Sequence, residues 1–350
     1  MTTGTTSPTH DLAERDLAES DSDTALSVHN LHVAFERKNR VTYVLEDVSF
    51  DLAPGECLAI VGESGSGKSV LGRAVVGVPD RLSTVRADGR ILLAGDDQLT
   101  ASVKDRRDRA GSRVAMIYQD PMSSLNPTVR VWKQVVESIS NRGRLTRTKG
   151  RQKAIEMLRA VGVSDPERRI DAFPHEFSGG MMQRVGIAAA IAGSPDILVA
   201  DEPTTALDVT VQRKVLDLLD QIRRESGMAM ILITHDLGLL TGRADRTMVL
   251  YAGRVLEIGP TELITTAPAH PYTQRLLAAI PRVSGELRRE LPALDGSLPA
   301  LDAPRLGCPF APRCPLAMDR CHSERPPAVR LSDNHVAHCW AVAAQSEGAS

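Results

Sequence analysis

Three short apolar runs without polar alternation punctuate the chain: Cys57 to Val61 (CLAIV), Ile197 to Ala200 (ILVA) and Met228 to Ile233 (MAMILI). Such runs suit strands covered on both faces, so they predict the centre of a parallel sheet. From Leu26 to Phe50 the pattern is different, with alternating segments such as LSVHNLHVAF and YVLEDVSFDL on either side of a polar, basic turn at Glu36 to Arg40. That alternation predicts an antiparallel β opening. Between about 120 and 195 the spacing turns helical, as in VWKQVVESI and RQKAIEMLRAVG, with Pro and Gly at the breaks, and predicts a helical subdomain. TMVLY and RVLEIG flank Ala252-Gly253 as a hairpin, and beyond Pro260 the chain is rich in proline. The division that follows is a disordered tail over residues 1–24, a main domain over 25–260 and a distinct C-terminal segment over 261–350. The tail carries almost no large apolar residue and cannot offset the entropy of ordering.

Composition narrows the function. Across 350 residues, 42% hydrophobic and 25% charged content describes an ordinary globular protein. The net charge of −2 offers no general attraction to a polyanion, and 5 Phe, 4 Tyr and 2 Trp are too few for a base-stacking surface. Nucleic acid is therefore not an expected partner. No apolar run has the length of a membrane-spanning helix, and the amino-terminal stretch lacks a basic end followed by an apolar core, which predicts a cytosolic chain.

The chemistry gathers where the buried runs end. Gly62-Glu63-Ser64-Gly65-Ser66-Gly67-Lys68-Ser69 fits G-x-x-x-x-G-K-[S/T] directly after CLAIV. Its glycines let backbone N–H groups wrap phosphates, Lys68 brings a point charge to the outer phosphates, and the Ser69 hydroxyl suits Mg²⁺. A nucleoside triphosphate is implied. ILVA ends at Asp201-Glu202, a pair able to hold Mg²⁺ and to polarise a water, or else a solvated strand-end turn before Pro203. MAMILI is followed by Thr234-His235, and VAMIY by Gln119, each on its own an unremarkable polar residue. Ligands of open α/β sheets collect outside the carboxyl ends of the strands, so these separate stretches point to one site. In Phe177-Ser178-Gly179-Gly180-Met181-Met182-Gln183-Arg184, serine and two glycines precede the helical run VGIAAAIA. That order makes either a plain helix cap or an anion site of bare backbone donors.

Gly62 to Ser69, Gln119, FSGGMMQR, ILVADEP, TALD at 205–208 and His235 occur in the order and approximate spacing of the nucleotide-binding subunit of ATP-binding cassette (ABC) transporters, which the chain resembles over about residues 26 to 260. The resemblance implies an α/β fold: a P-loop NTPase core with a parallel sheet, an N-terminal antiparallel β subdomain and a helical signature subdomain, followed here by a small Cys-rich C-terminal segment. It implies Gly62, Ser64, Gly65, Ser66, Gly67 and Lys68 on the phosphates of ATP, and Ser69, Gln119 and Asp201 at Mg²⁺. Glu202 would be the general base and His235 a contact of the terminal phosphate. Ser178, Gly179 and Gly180 would complete the ATP site of a partner subunit in trans, with Asp208 at the seam. Phe35, or alternatively Tyr43 beyond the polar stretch ERKNR, would stack on adenine, since stacking needs only an aromatic face. Met181 stands where the signature more commonly has glutamine, a departure found in the peptide-permease branch.

YQDPMSSLNP (118–127), HPYT (270–273) and four C-terminal cysteines resemble the ATPase subunits of dipeptide and oligopeptide importers. Cys308, Cys314, Cys321 and Cys339 supply four thiols that suit a [4Fe–4S] cluster or tetrahedral Zn²⁺, or stand uncoordinated, without the paired C-x2-C knuckles of common zinc sites. Members of this branch with a cluster at matching cysteines favour [4Fe–4S] as a structural staple. Cys57 reads as a small apolar core residue. The resemblance further implies a peripheral position on the cytoplasmic face of the membrane and a second ABC ATPase subunit, commonly a different one. It also implies two membrane permease subunits and, indirectly, an extracytoplasmic solute-binding protein. Uptake of dipeptides or oligopeptides is the expected task. Nickel or another small solute is the alternative within the branch, and a soluble ABC ATPase acting on nucleic acid the alternative outside it.

Overall fold

The computed structural model describes residues 24–37, 40–77, 84–120, 125–140, 145–204, 209–280, 296–300 and 306–348. Residues 1–23 of the tail expected over 1–24, the TALD segment with Asp208, and residues 121–124 of YQDPMSSLNP lie outside that set.

The alternating opening forms β1 (Leu26–Arg37) and β2 (Arg40–Leu52), which pair antiparallel with Val28 opposite Phe50 and Val33 opposite Leu45. Leu26 and Val28 are buried on the inward face, and after an irregularity between Val28 and Leu31 the inward face resumes with Leu31 and Val33. After β3 (Cys57–Val61), the chain returns to this layer with β4 (Thr84–Leu93) and β5 (Asp96–Asp97), giving the order β2-β1-β4-β5.

The second layer is an eight-stranded sheet that adds β6 (Val114–Ile117), β7 (Ile197–Asp201), β8 (Ala229–Ile233), β9 (Arg246–Tyr251), β10 (Arg254–Pro260), β11 (Ala328–Ser332) and β12 (His335–His338). Its order is β11-β12-β10-β9-β3-β8-β7-β6. The three non-alternating runs thus sit as direct parallel neighbours, β3 beside β8 and β8 beside β7, each wholly buried. β9 and β10 form the expected hairpin, whose turn residues Ala252 and Gly253 both take positive φ.

The sequence pattern carried no sign of the sheet's far edge. Two strands of the C-terminal segment extend the main sheet, β12 pairing antiparallel with β10 and β11 with β12. A buried polar knot fixes that edge. The Glu257 carboxylate accepts the backbone N–H groups of Ala269 and His270 and lies 2.8 Å from His335 Nε2. His270 itself is held neutral, its pKa pushed down to about 3 chiefly by burial.

α1 (Lys68–Val76) begins at Gly67 and stops at Gly77, both left-handed, and packs on the sheet through Gly72. A Cβ on Gly72 would stand 2.9 Å from the Ile233 side chain and 3.0 Å from that of Val199, so the helix lies close on β7 and β8 and an alanine there would require those side chains to shift. The predicted helical region contains α2 (Val131–Val135), α3 (Arg147–Ala160) and α4 (Gly179–Ile191), whose apolar faces share one core. α5 (Val209–Ser226) leads into β8, and α6 (Pro271–Ala278) follows the hairpin. Among the described residues no helix is long and apolar enough to cross a membrane.

Candidate functional site

The loop between β3 and α1 is shaped by glycine and held by backbone. Gly62, Gly65 and Gly67 have φ of 153°, 85° and 105°. A Cβ on Gly62 would fall 2.1 Å from the Leu250 carbonyl oxygen, so only glycine fits where the loop crosses β9. Gly253 N–H donates to the Ser66 carbonyl at 2.8 Å, tying the loop to the hairpin turn. Lys68 Nζ bridges the mouth of the loop, donating to the carbonyls of Gly62 at 2.8 Å and Glu63 at 3.0 Å. Burial lowers the Lys68 pKa, against the opposing pull of Glu202, Asp201 and Glu63. At the start of α1 the cap residue Gly67 has no side chain to occupy the amide donors, and the first turn carries no acidic residue. The result is an open anion cradle.

The carboxyl ends of the parallel strands add oxygen donors. Ser69 Oγ donates to Asp201 Oδ1 at 2.9 Å. Asp201 is almost fully buried, and burial pushes its carboxyl pKa up against the hydrogen bond from Ser69. Next to it Glu202 sits in the left-handed region at φ 46°, its N–H bonded to the Ile233 carbonyl at 3.0 Å. That bend turns the Glu202 carboxylate toward Gln119, whose Nε2 donates to Oε2 at 2.9 Å, and toward His235 Nδ1 at 3.5 Å. Three residues from three strand ends thus meet on one carboxylate. A hydroxyl and a carboxylate are hard oxygen donors, so Ser69 and Asp201 fit Mg²⁺, and a desolvated carboxylate gains from a cation.

The remaining expected residues lie apart from this centre. Ser178 caps α4 without a side-chain hydrogen bond, and Gly179 has nothing within 4 Å of where a Cβ would stand. Phe35 is half-buried and faces a cavity of about 230 Å³ lined by Val70, Arg73 and Ala74 of α1, whereas Tyr43 is exposed on β2. Cys308, Cys314, Cys321 and Cys339 are close enough that each of the other thiolates would raise the pKa of Cys308, which burial first drives up to about 11. Even so, among the described residues no group of three or more His, Cys, Asp or Glu side chains is placed to hold a metal ion. The expected ligand set for [4Fe–4S] or zinc is therefore not supported by the thiol positions. Cys57 packs in the core as expected, with its pKa raised to about 12 by burial.

Two features escaped the sequence reading. Gln183, inside the signature, donates from Nε2 to the Pro203 carbonyl at 2.7 Å and so joins α4 to the turn after Glu202. Glu63 is clasped by Tyr272 and Arg313 from the C-terminal segment. Both partners stand inside stretches singled out for other reasons, HPYT and the cysteine run.

A family model described as ABC transporter matches residues 45–205, and one described as oligopeptide/dipeptide transporter, C-terminal region, matches residues 256–321. The dipeptide transport ATP-binding protein DppD of Bacillus subtilis is 45% identical over 315 residues, covering 90% of this chain and 94% of that one. The chain belongs to the dipeptide and oligopeptide branch of the ABC transporter ATP-binding subunits. DppD of Escherichia coli is 44% identical over 90% of this chain and 95% of its own length. The oligopeptide transport ATP-binding protein OppD of Bacillus subtilis is 42% identical over 90% and 88%. Among solved structures, the dimeric post-hydrolysis ATP-binding cassette MJ0796, bound to ADP and Pi, matches with a TM-score of 0.60 and 25% identity over 67% of this chain and 98% of that chain. As a member of the ABC family the chain is an ATPase with an α/β P-loop core, and the four-stranded antiparallel layer and helical region described above are parts of that fold.

Proposed function

We propose that this chain is the ATP-hydrolysing motor subunit of an importer for dipeptides or oligopeptides, acting peripherally at the cytoplasmic face of the membrane. The observation that carries the reading is the meeting of Lys68, the Ser69–Asp201 pair and the Gln119–Glu202–His235 cluster at the carboxyl ends of neighbouring strands. In this reading residues 25–260 bind nucleotide, and residues 261–350 are the peptide-importer extension. Gly62 to Ser69 cradle the phosphates of ATP, and Lys68 leaves its two carbonyls for the outer phosphates. Ser69, Asp201 and Gln119 would hold Mg²⁺, which neutralises charge on the transferred phosphoryl group. Glu202 accepts the proton of the attacking water, and His235, with a side chain 65% exposed, reaches the terminal phosphate. Phe35 stacks on adenine.

The bare start of α4 supports a site shared between subunits: Gly179 is not needed to fit this chain's own packing, so its missing Cβ leaves room for something from outside. A second ATPase subunit, of the same or a sister sequence, would bring its phosphates there, with Asp208 near the seam. Membrane permease subunits and an extracytoplasmic binding protein complete the importer. A [4Fe–4S] cluster, or Zn²⁺, on Cys308, Cys314, Cys321 and Cys339 is proposed on the donor chemistry of four neighbouring thiols alone. Iron, sulfide and zinc analysis of anaerobically purified protein decides it, and absence of all three removes it.

Uptake of labelled di- and oligopeptides by the native cells tests the main reading, comparing the unaltered protein with Glu202→Gln. Loss of uptake, with ATP still bound, is expected. Retained steady-state hydrolysis would remove Glu202 as the base. Normal peptide uptake, with the variant expressed and no redundant importer present, would redirect the search to nickel or other small solutes. Salt-dependent nucleic-acid binding would favour a soluble cassette instead.

A further inference from the structure

Glu63, the second residue of the phosphate loop, is anchored through its carbonyl, its N–H and one carboxylate oxygen. Its carbonyl accepts from Lys68 Nζ at 3.0 Å. Its N–H donates to Tyr272 Oη at 3.0 Å. Its carboxylate accepts from Arg313 Nη1 at 3.0 Å through Oε2, while Oε1 is buried without a partner. Two of these anchors, Tyr272 and Arg313, come from beyond residue 260, and Arg313 lies within the cysteine run, next to Cys314.

The anchor is built rather than incidental. The Arg313 side chain is only 7% exposed and that of Glu63 24%, so the pair is largely removed from water. Arg313 also donates to Tyr251 Oη at 3.1 Å, and its own carbonyl accepts from Arg275 at 3.0 Å. Tyr272, Tyr251 and Phe310 pack ring against ring, with centroids 4.7 Å apart for the tyrosines and 5.2 Å between Tyr272 and Phe310. Phe310 is two residues from Cys308, and the Cys308 N–H is bonded to the Cys321 carbonyl at 2.8 Å. An unbroken line of packed groups therefore runs from the cysteines to the loop. Breaking a buried charge pair by removing one partner leaves the other uncompensated, so the loop cannot ignore the loss of Arg313.

We propose that Arg313 is a positioning residue for the phosphate loop, and that through it the packing of the four-cysteine segment sets the affinity for ATP. The proposal rests on the reading of Gly62 to Ser69 as the phosphate cradle, and not on which solute is transported or on what the cysteines hold. Coupling between two sites is reciprocal: if the segment shapes the loop, nucleotide on the loop must tighten the segment.

The test uses the full chain and a fluorescent ATP analogue with Mg²⁺, together with mass-spectrometric rates of alkylation at Cys308 and Cys314. Arg313→Ala is expected to weaken nucleotide binding about five-fold or more, the lower bound of ordinary coupling. Glu63→Gln should weaken it in the same direction, and the double variant should be no worse than the poorer single one. In the unaltered protein nucleotide should slow alkylation of the two cysteines, and in Arg313→Ala it should not. Unchanged affinity in a folded Arg313→Ala protein, or alkylation indifferent to nucleotide in the unaltered protein, overturns the proposal. If Arg313→Ala does not fold, the same readings on Glu63→Gln decide it. Should Lys68→Ala bind nucleotide as well as the unaltered chain, the assignment of the loop itself fails, and the proposal with it.

Discussion

The phosphate loop and the start of α4 are both glycine-rich turns into a helix, yet they stand in opposite conditions. Around the loop this chain's own atoms close in: Gly62 lies against Leu250, Lys68 spans two carbonyls, and Ser69 is bonded to Asp201. At α4, Ser178 makes no capping bond through its side chain and Gly179 faces open space. Glycine in the first place is demanded by the chain's own packing, and in the second it is not. The same residue type thus marks one turn packed by this chain's own atoms and one that faces open space.

Substitution at the glycines separates the two conditions most sharply. Gly62→Ala should cost more than about 3 kcal/mol, the range of severe point changes, because a left-handed backbone and a clash with Leu250 coincide. Thermal unfolding and loss of nucleotide binding would show it, and a stable, ATP-binding variant would break the contrast.

Asp201→Asn should lower hydrolysis on the order of a hundred-fold or more. It should also make the nucleotide-free protein more stable near neutral pH. The sign follows from burial, which raises the folded-state pKa of Asp201. An acid with a raised folded pKa penalises the folded state only when ionised, so the penalty is absent at low pH and grows as pH rises above the unfolded value. The stability difference between variant and unaltered protein, followed by melting against pH, should therefore shrink on acidification. A difference that grows instead would contradict the burial argument.

Gly179→Ala should move stability by no more than about 1 kcal/mol, upward, since alanine is the better helix former and nothing obstructs it. ATP hydrolysis should nonetheless fall roughly ten-fold or more, as when a close backbone approach is blocked. Equal activity would mean that the open start of α4 receives no partner.

Gln183→Ala should have the smallest effect on hydrolysis, while destabilising the fold by about 1 to 2 kcal/mol through the unsatisfied Pro203 carbonyl. Because that bond joins the signature helix to the turn after Glu202, a parallel drop in hydrolysis would show that the two regions communicate through it. Stability loss with unaltered turnover per folded molecule would leave them independent.

Much of this organisation was legible in the chain. The non-alternating runs at 57–61, 197–200 and 228–233 became adjacent parallel strands because a strand covered on both faces has no polar side to display. The chemistry at their ends was readable for the same topological reason. What could not be read was long-range and polar. Arg313 and Glu63 are joined across 250 residues, and Glu257 and His335 across 78, by bonds for which neither periodicity nor a motif exists. The continuation of the sheet by β11 and β12 was hidden because AVRLS and HVAH are too short and mixed to announce a strand without the edge of β10 to receive them. The ligating role of the cysteines, read from residue type and spacing, is the part that the geometry leaves unsupported.

The hairpin turn at Ala252-Gly253 has a kinematic consequence. Gly253 gives its N–H to Ser66 in the phosphate loop and its carbonyl to the N–H of Glu46 in β2, and a Cβ there would strike the Val44 carbonyl at 2.0 Å. Three pieces of the molecule are therefore riveted through main-chain atoms at one point. Displacing the antiparallel layer, the hairpin or the loop on its own would break one of these bonds, so a strain applied to any of the three is felt by the other two.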